Sequence, residues 1–195
     1  MPDRPRKIAL FGGTFDPIHL GHLHLAKIAR DSLQLDQVRF IPCKVSPHKS
    51  GTQPASPTDR LNMLRLATAE FPWARVDDLE IASDQPNYSY LTAAEIQRRE
   101  PDAQLYWIMG GDQWAALPRW KHPEKLAEIV EFIVLARADD PLPRANFQMH
   151  LIHGEHPASA TQIRQTTAAG AESSDLPASV AAYIRAHRLY QAPTR

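Results

Sequence analysis

His19 and His22 stand three residues apart, directly after the run Gly12-Gly13-Thr14-Phe15-Asp16-Pro17-Ile18. Residues three apart share one face of a helix's first turn. Two imidazoles there can donate hydrogen bonds, and carry charge when protonated. The free backbone N–H groups and the dipole of a helix N-terminus favour an anion at the same place. Gly12 and Gly13 lack side chains, so a ligand can approach the backbone. Together these residues read as a phosphate cradle. The Gly-x-Gly-x-x-Gly dinucleotide fingerprint is absent, and Ile41-Pro42-Cys43-Lys44 offers no acid for a ribose. No Gly-Lys-Ser/Thr of a Walker loop occurs either.

The cradle needs a strand before it and a helix after it. Residues 7–11 (KIALF) read as a short buried strand broken by Gly12-Gly13. Residues 20–33 read as a helix with Leu25, Ile28, Ala29 and Leu33 on one face. Further strands are expected at 37–42, 74–81, 104–109, 131–136 and 149–152. Ser56-Pro57 opens a second helix, with Ser56 as cap and Leu61, Leu64 and Thr68 on one face. Helices follow at 91–99, 159–169 and 178–188. Strand and helix alternate, so the expected fold is α/β. It is a Rossmann-like doubly wound, mostly parallel sheet with helices on both faces. One domain spans 1–195, with a small C-terminal helical part from about 159 to 190. Ligands in such sheets sit at the carboxyl ends of the strands. Chemistry is therefore sought after Phe11, Pro42, Met109 and Ile152.

Lys+Arg and Asp+Glu are 22 each, so the formal charge is zero and bulk gripping of nucleic acid or anionic membrane is excluded. Nine histidines still allow a local cationic pocket. Cys43 is the only cysteine, which excludes an internal disulfide and a Cys-based zinc site. No apolar run is long enough to span a bilayer, and the charged start does not resemble a signal peptide. A cytoplasmic location is expected.

Gly-Gly-Thr-Phe-Asp-Pro-x-His-x-Gly-His, here residues 12–22, resembles the signature of the nucleotidyltransferases with a His-x-Gly-His motif. Within them it is most similar to the bacterial nicotinate-mononucleotide adenylyltransferases. Four further stretches match in order: Pro47-His48-Lys49, Tyr88-Ser89, Gly110-Gly111-Asp112 with Trp120, and Ser159-Ala160-Thr161-Gln162-Ile163-Arg164. Ser89 and Leu91 stand where Thr and Asp are usual, Ala160 where a second Ser is usual, and Lys121 where Tyr often follows the Trp.

The resemblance implies transfer of AMP from ATP to nicotinate mononucleotide, giving deamido-NAD and pyrophosphate in NAD biosynthesis. His19, His22, Lys49 and Arg164 are the implied catalytic groups. Gly12, Gly13, Thr14, Phe15, Gly110, Asp112, Ser159, Thr161 and Ile163 would bind ATP. His48, Tyr88, Ser89, Trp120 and Arg137 would bind the pyridine mononucleotide, with the ring stacked on the Trp120 indole. Mg is the implied cofactor, held by ATP phosphates and water because no carboxylate cage is present. The expected partners are these two small molecules, with a homo-oligomer allowed. Alternatives are a sister adenylyltransferase for nicotinamide mononucleotide or phosphopantetheine, and a nucleotide-binding regulator without catalysis. A plain NAD-dependent oxidoreductase is disfavoured by the missing fingerprint.

Overall fold

The computed structural model describes residues 4–45, 54–84, 86–136 and 140–191. The chain begins with β1 (Lys7–Gly13), α1 (Leu20–Leu33) and β2 (Gln37–Pro42), followed by α2 (Pro57–Thr68) and β3 (Ala74–Val76). Next come α3 (Leu79–Ala82), α4 (Ser89–Arg99), β4 (Gln104–Gly110) and α5 (Gly111–Ala116). A 3-10 turn at Leu117–Arg119 leads to α6 (Pro123–Ala127), β5 (Val130–Ala136) and β6 (Met149–His153). Helices α7 (Ala160–Ala168) and α8 (Ala178–Ala186) complete it.

The six strands are all parallel, in the order β3-β2-β1-β4-β5-β6. This is the doubly wound order, with its switch point between β1 and β4. Alternate residues face opposite sides, as the period of a strand requires. Ala9, Phe11, Tyr106, Ile108, Ile133 and Leu135 join one core with Ala26 and Ala29 of α1, Met63 and Leu64 of α2, and Ile184 of α8. Ile8, Leu10, Trp107, Met109, Phe132 and Val134 join the other with Ile96 of α4, Trp114 of α5 and Leu126 of α6.

Several expectations shift. Residues 74–81 do not form one strand: β3 ends at Val76, where Asp77 accepts the Leu79 N–H at 3.1 Å and turns the chain into α3. β1 runs through both glycines, because Gly12 and Gly13 stay in register with Ile41 and Pro42 of β2. Ser56 caps α2 as expected, accepting from Asp59 N at 3.1 Å. The helix expected at 91–99 starts two residues earlier, at Ser89, with Tyr88 in the N-cap position. Among the described residues no helix is long and apolar enough to cross a membrane.

Candidate active site

The loop between β1 and α1 carries the histidines. His19 is the N-cap of α1, in extended conformation, and its ring stacks on that of His22 with centroids 3.7 Å apart. His19 N–H donates to His22 Nδ1 at 3.4 Å, so a neutral His22 keeps its proton on Nε2. His19 is 7% exposed, and its Nδ1 has no partner among the described residues. Burial pulls the His19 pKa down to about 4, helped by His156 and opposed by Asp175. Burial, and then His19, hold His22 well below the usual histidine range. His19 and His22 are thus neutral imidazoles at neutral pH, unlike the protonated rings a cationic pocket would need. They act there as N–H donors, and an arriving polyanion would favour their protonation.

The loop itself is held from behind. Phe15 has a left-handed backbone, φ 50°, which is strained for a bulky residue. Its buried ring packs on Phe11, Phe40 and His22. Asp16 Oδ1 accepts from Ala55 N at 3.1 Å and from the Tyr190 hydroxyl at 2.6 Å. Burial and the Asp16 carboxylate push the Tyr190 pKa strongly up, so its proton stays in that bond. Arg164 donates to the Asp16 carbonyl at 2.6 Å and to Thr161 Oγ1 at 3.3 Å. Arg60, 2% exposed, donates to the carbonyls of Thr14 and Cys43 at 2.7 Å, of Lys44 at 3.1 Å and of Ala55 at 3.4 Å. It ties the β1–α1 loop to both ends of the segment between β2 and α2.

Two cavities open at the carboxyl ends of the strands. One, of about 570 Å³, is lined by His19, His22, Leu25, His156, Ser159 and Ala160, among others. It lies between the start of α1 and the start of α7, where first-turn N–H groups lack helical acceptors. The second, of about 470 Å³, is lined by Phe11, Leu25, Gly110, Gly111, Asp112 and Gly154, among others. Leu25 lines both.

The structure divides the remaining expected site residues into groups. His19, His22 and Ser159 meet in the first cavity; Gly110 and Asp112 line the second. A Cβ on Gly110 or Gly111 would meet nothing within 4 Å, so the space there is open to a ligand. Gly12 and Gly13 differ from that reading: a Cβ would lie 3.1 Å from the Trp107 ring or 3.0 Å from the Phe15 ring. Their missing side chains make room for the protein's own aromatics. Trp120 is half-buried, edge-on to Trp107 at 6.3 Å, so Trp107 links its ring to Gly12. The Trp120–His122 segment also packs on the start of α4, where His122 meets Tyr90 at 5.2 Å. Ile163 is buried, and the Thr161 hydroxyl accepts from Arg164. Tyr88 and Ser89 lie at the start of α4, with Tyr88 exposed. His48, Lys49 and Arg137 lie outside the described residues.

Arg60, Tyr190 and His156 escaped the sequence reading. Arg60 had a signal: with Leu64 and Ala67 it falls on the buried stripe of α2 at helical spacing. Tyr190 and His156 sit in no pattern that marks them.

Residues 10–166 match the cytidylyltransferase-like family. A protein of Neisseria gonorrhoeae named "Probable nicotinate-nucleotide adenylyltransferase" is 37% identical over 200 residues, covering 95% of this chain and 99% of that protein. One of the same name from Lactiplantibacillus plantarum is 37% identical, with 95% and 89% covered. The chain belongs to the nicotinate-nucleotide adenylyltransferase family. In fold it is similar to the Plasmodium falciparum nicotinic acid mononucleotide adenylyltransferase complexed with NaAD, with a TM-score of 0.76 and 20% identity over 95% of this chain and 97% of that one. The chain is accordingly a nucleotidyltransferase with a Rossmann-like sheet.

Proposed function

We propose that this chain transfers the adenylyl group of ATP to nicotinate mononucleotide, releasing pyrophosphate and forming deamido-NAD. The observation that carries the reading is the stacked His19–His22 pair at the sheet's switch point, facing the start of α7 across one cavity. The acceptor's phosphate oxygen attacks the α-phosphorus of ATP, and the bond to the bridging oxygen of pyrophosphate breaks. A phosphomonoester is already ionised near neutral pH, so the protein needs no strong base. Its work is to hold two anions in line and to stabilise charge on the leaving pyrophosphate.

His22 donates its Nε2–H to the phosphates, with His19 stacked beside it. Ser159 and the first turn of α7 grip from the other side, and Lys49 adds a charge. Arg164 reaches the phosphates from the position in which it also holds Asp16. Thr14 and Phe15 shape the cradle, while Gly110 and Asp112 receive the nucleoside. Trp120 stacks on the pyridine ring, with Tyr88, Ser89, His48 and Arg137 around that mononucleotide.

Mg enters with the nucleotide as part of the substrate. Among the described residues no cluster of three His, Cys, Asp or Glu could cage it, and the Asp16 carboxylate is already engaged by Ala55 and Tyr190. That donor set fits an ion carried by phosphate oxygens and water. The reading places the protein in the cytoplasm, with its two substrates.

Pyrophosphate release is measured with ATP and each of nicotinate mononucleotide, nicotinamide mononucleotide and phosphopantetheine. Turnover is expected to be highest with the acid. Preference for either other acceptor, or ATP binding with no release, would replace the reading.

A further inference from the structure

His156 belongs to none of the matched motifs, yet it lines the same cavity as His19, His22 and Ser159. It arrives from the segment between β6 and α7, on the opposite wall from α1. The two walls converge at Gly21. A Cβ there would lie 3.0 Å from His19 Nδ1 and 3.3 Å from His156 Nδ1. Two imidazoles from separate loops, His19 and His156, therefore meet at one point on α1, and His22 stacks on the first of them.

The hydrogen bonding of His156 fixes what it offers. Its Nδ1 accepts the Ala158 N–H at 3.1 Å, so the neutral ring carries its proton on Nε2. The ring is only half-buried, unlike a packed core histidine. Among the described residues it makes no ion pair; its aromatic neighbour is the exposed His24, with centroids 5.5 Å apart. His22 has the same arrangement, with Nδ1 engaged by a backbone N–H and Nε2–H left as donor. Glu155 lies exposed on the cavity wall beside it and disfavours an anion on that side, so the imidazoles define where negative charge is accepted.

We propose that His156 is a third phosphate-binding residue, donating Nε2–H to the triphosphate of the incoming nucleotide. This rests on the adenylyl-transfer reading for the ligand's identity. Its test, however, uses a probe that needs no acceptor: inorganic tripolyphosphate, with ATP in parallel, titrated by calorimetry. His156→Asn keeps an acceptor for Ala158 N–H through an Asx turn but cannot reach into the cavity. His156→Leu removes both functions. Both variants are expected to bind tripolyphosphate and ATP on the order of tenfold more weakly, as loss of one hydrogen bond to a charged group implies. The KM for the pyridine mononucleotide is expected to stay unchanged.

Wild-type affinity in the Asn variant alone would show a purely structural role and overturn the proposal. So would wild-type affinity in both variants, or a wild-type protein that does not bind tripolyphosphate. Should nicotinate mononucleotide fail as acceptor while tripolyphosphate binding still depends on His156, the function reading falls and this assignment stands.

Discussion

The two ends of the sheet handle buried charge in opposite ways. Toward the amino ends, charged groups meet side chains of opposite charge. Arg39 of β2 pairs with Glu100, lies 3.8 Å from Asp77 and donates to Gln37 at 2.7 Å. Glu131, half-buried, takes Gln104 at 2.7 Å and His150 at 2.6 Å, and at the surface of the same end Arg4 forks onto Asp36 at 2.9 and 3.0 Å. At the carboxyl ends, Arg60 is as deeply buried but binds backbone carbonyls, with no carboxylate partner among the described residues. His19 Nδ1 has no partner there, and the Gly110–Gly111 turn faces open space. Pairing at one end neutralises charge for stability. At the other end donors are kept for an anion, and the loops are fastened by Arg60 onto backbone carbonyls and by Asp16 onto the Ala55 N–H and the neutral Tyr190 hydroxyl.

Replacing the two buried arginines tests this contrast most strongly. Arg39→Met and Arg60→Met are each expected to cost about 3–5 kcal/mol in denaturant unfolding, because buried partners are left behind. Only Arg60→Met should also lower kcat/KM per folded molecule, since Arg39 holds no loop of the site. Equal activity loss in both would erase the distinction. Next in size, His22→Ala is expected to lower kcat by about two to three decades, as for one preorganised donor, with circular dichroism unchanged.

The histidines also predict a pH effect. The folded His19 pKa is about 4, below its ordinary value of 6.5. Above 6.5 both folded and unfolded states are neutral at this residue. As pH falls toward 4 the unfolded chain gains the proton first, so the Tm of the free protein drops through that window. His19→Gln should flatten the drop. ATP should reduce it, because bound phosphates raise the imidazole pKa and proton uptake accompanies binding. Calorimetry in buffers of different ionisation enthalpy reads that uptake. The smallest expected effect is Tyr190→Phe, which removes one bond to Asp16 and should cost about 1–2 kcal/mol of stability. Its kcat should fall less than that of His22→Ala.

Much of this was legible in one dimension. The Ser56-Pro57 cap, the α1 stripe and the apolar strands obey local rules, and the alternation of strand and helix suffices for the parallel sheet. The β1–α1 histidines were legible because a strand, two glycines and a helix start coincide. What was hidden depends on long-range geometry. The charge state of His19 follows from desolvation, which no spacing encodes. Gly12 and Gly13 serve Trp107 and Phe15, whose positions only the folded sheet supplies. Residues 77–81 looked like strand, but the Asp77 side chain recruits the next turn. His156 enters the pocket by the path of its loop and carries no periodic mark.

The bond between Tyr190 and Asp16 joins residues 174 positions apart. During synthesis the whole sheet is present once β6 has emerged, yet the loop bearing His19 still lacks this fastening. Whatever is fused or cleaved close behind Tyr190 acts directly on the back of the site, at the far end of the polypeptide from the histidines it supports.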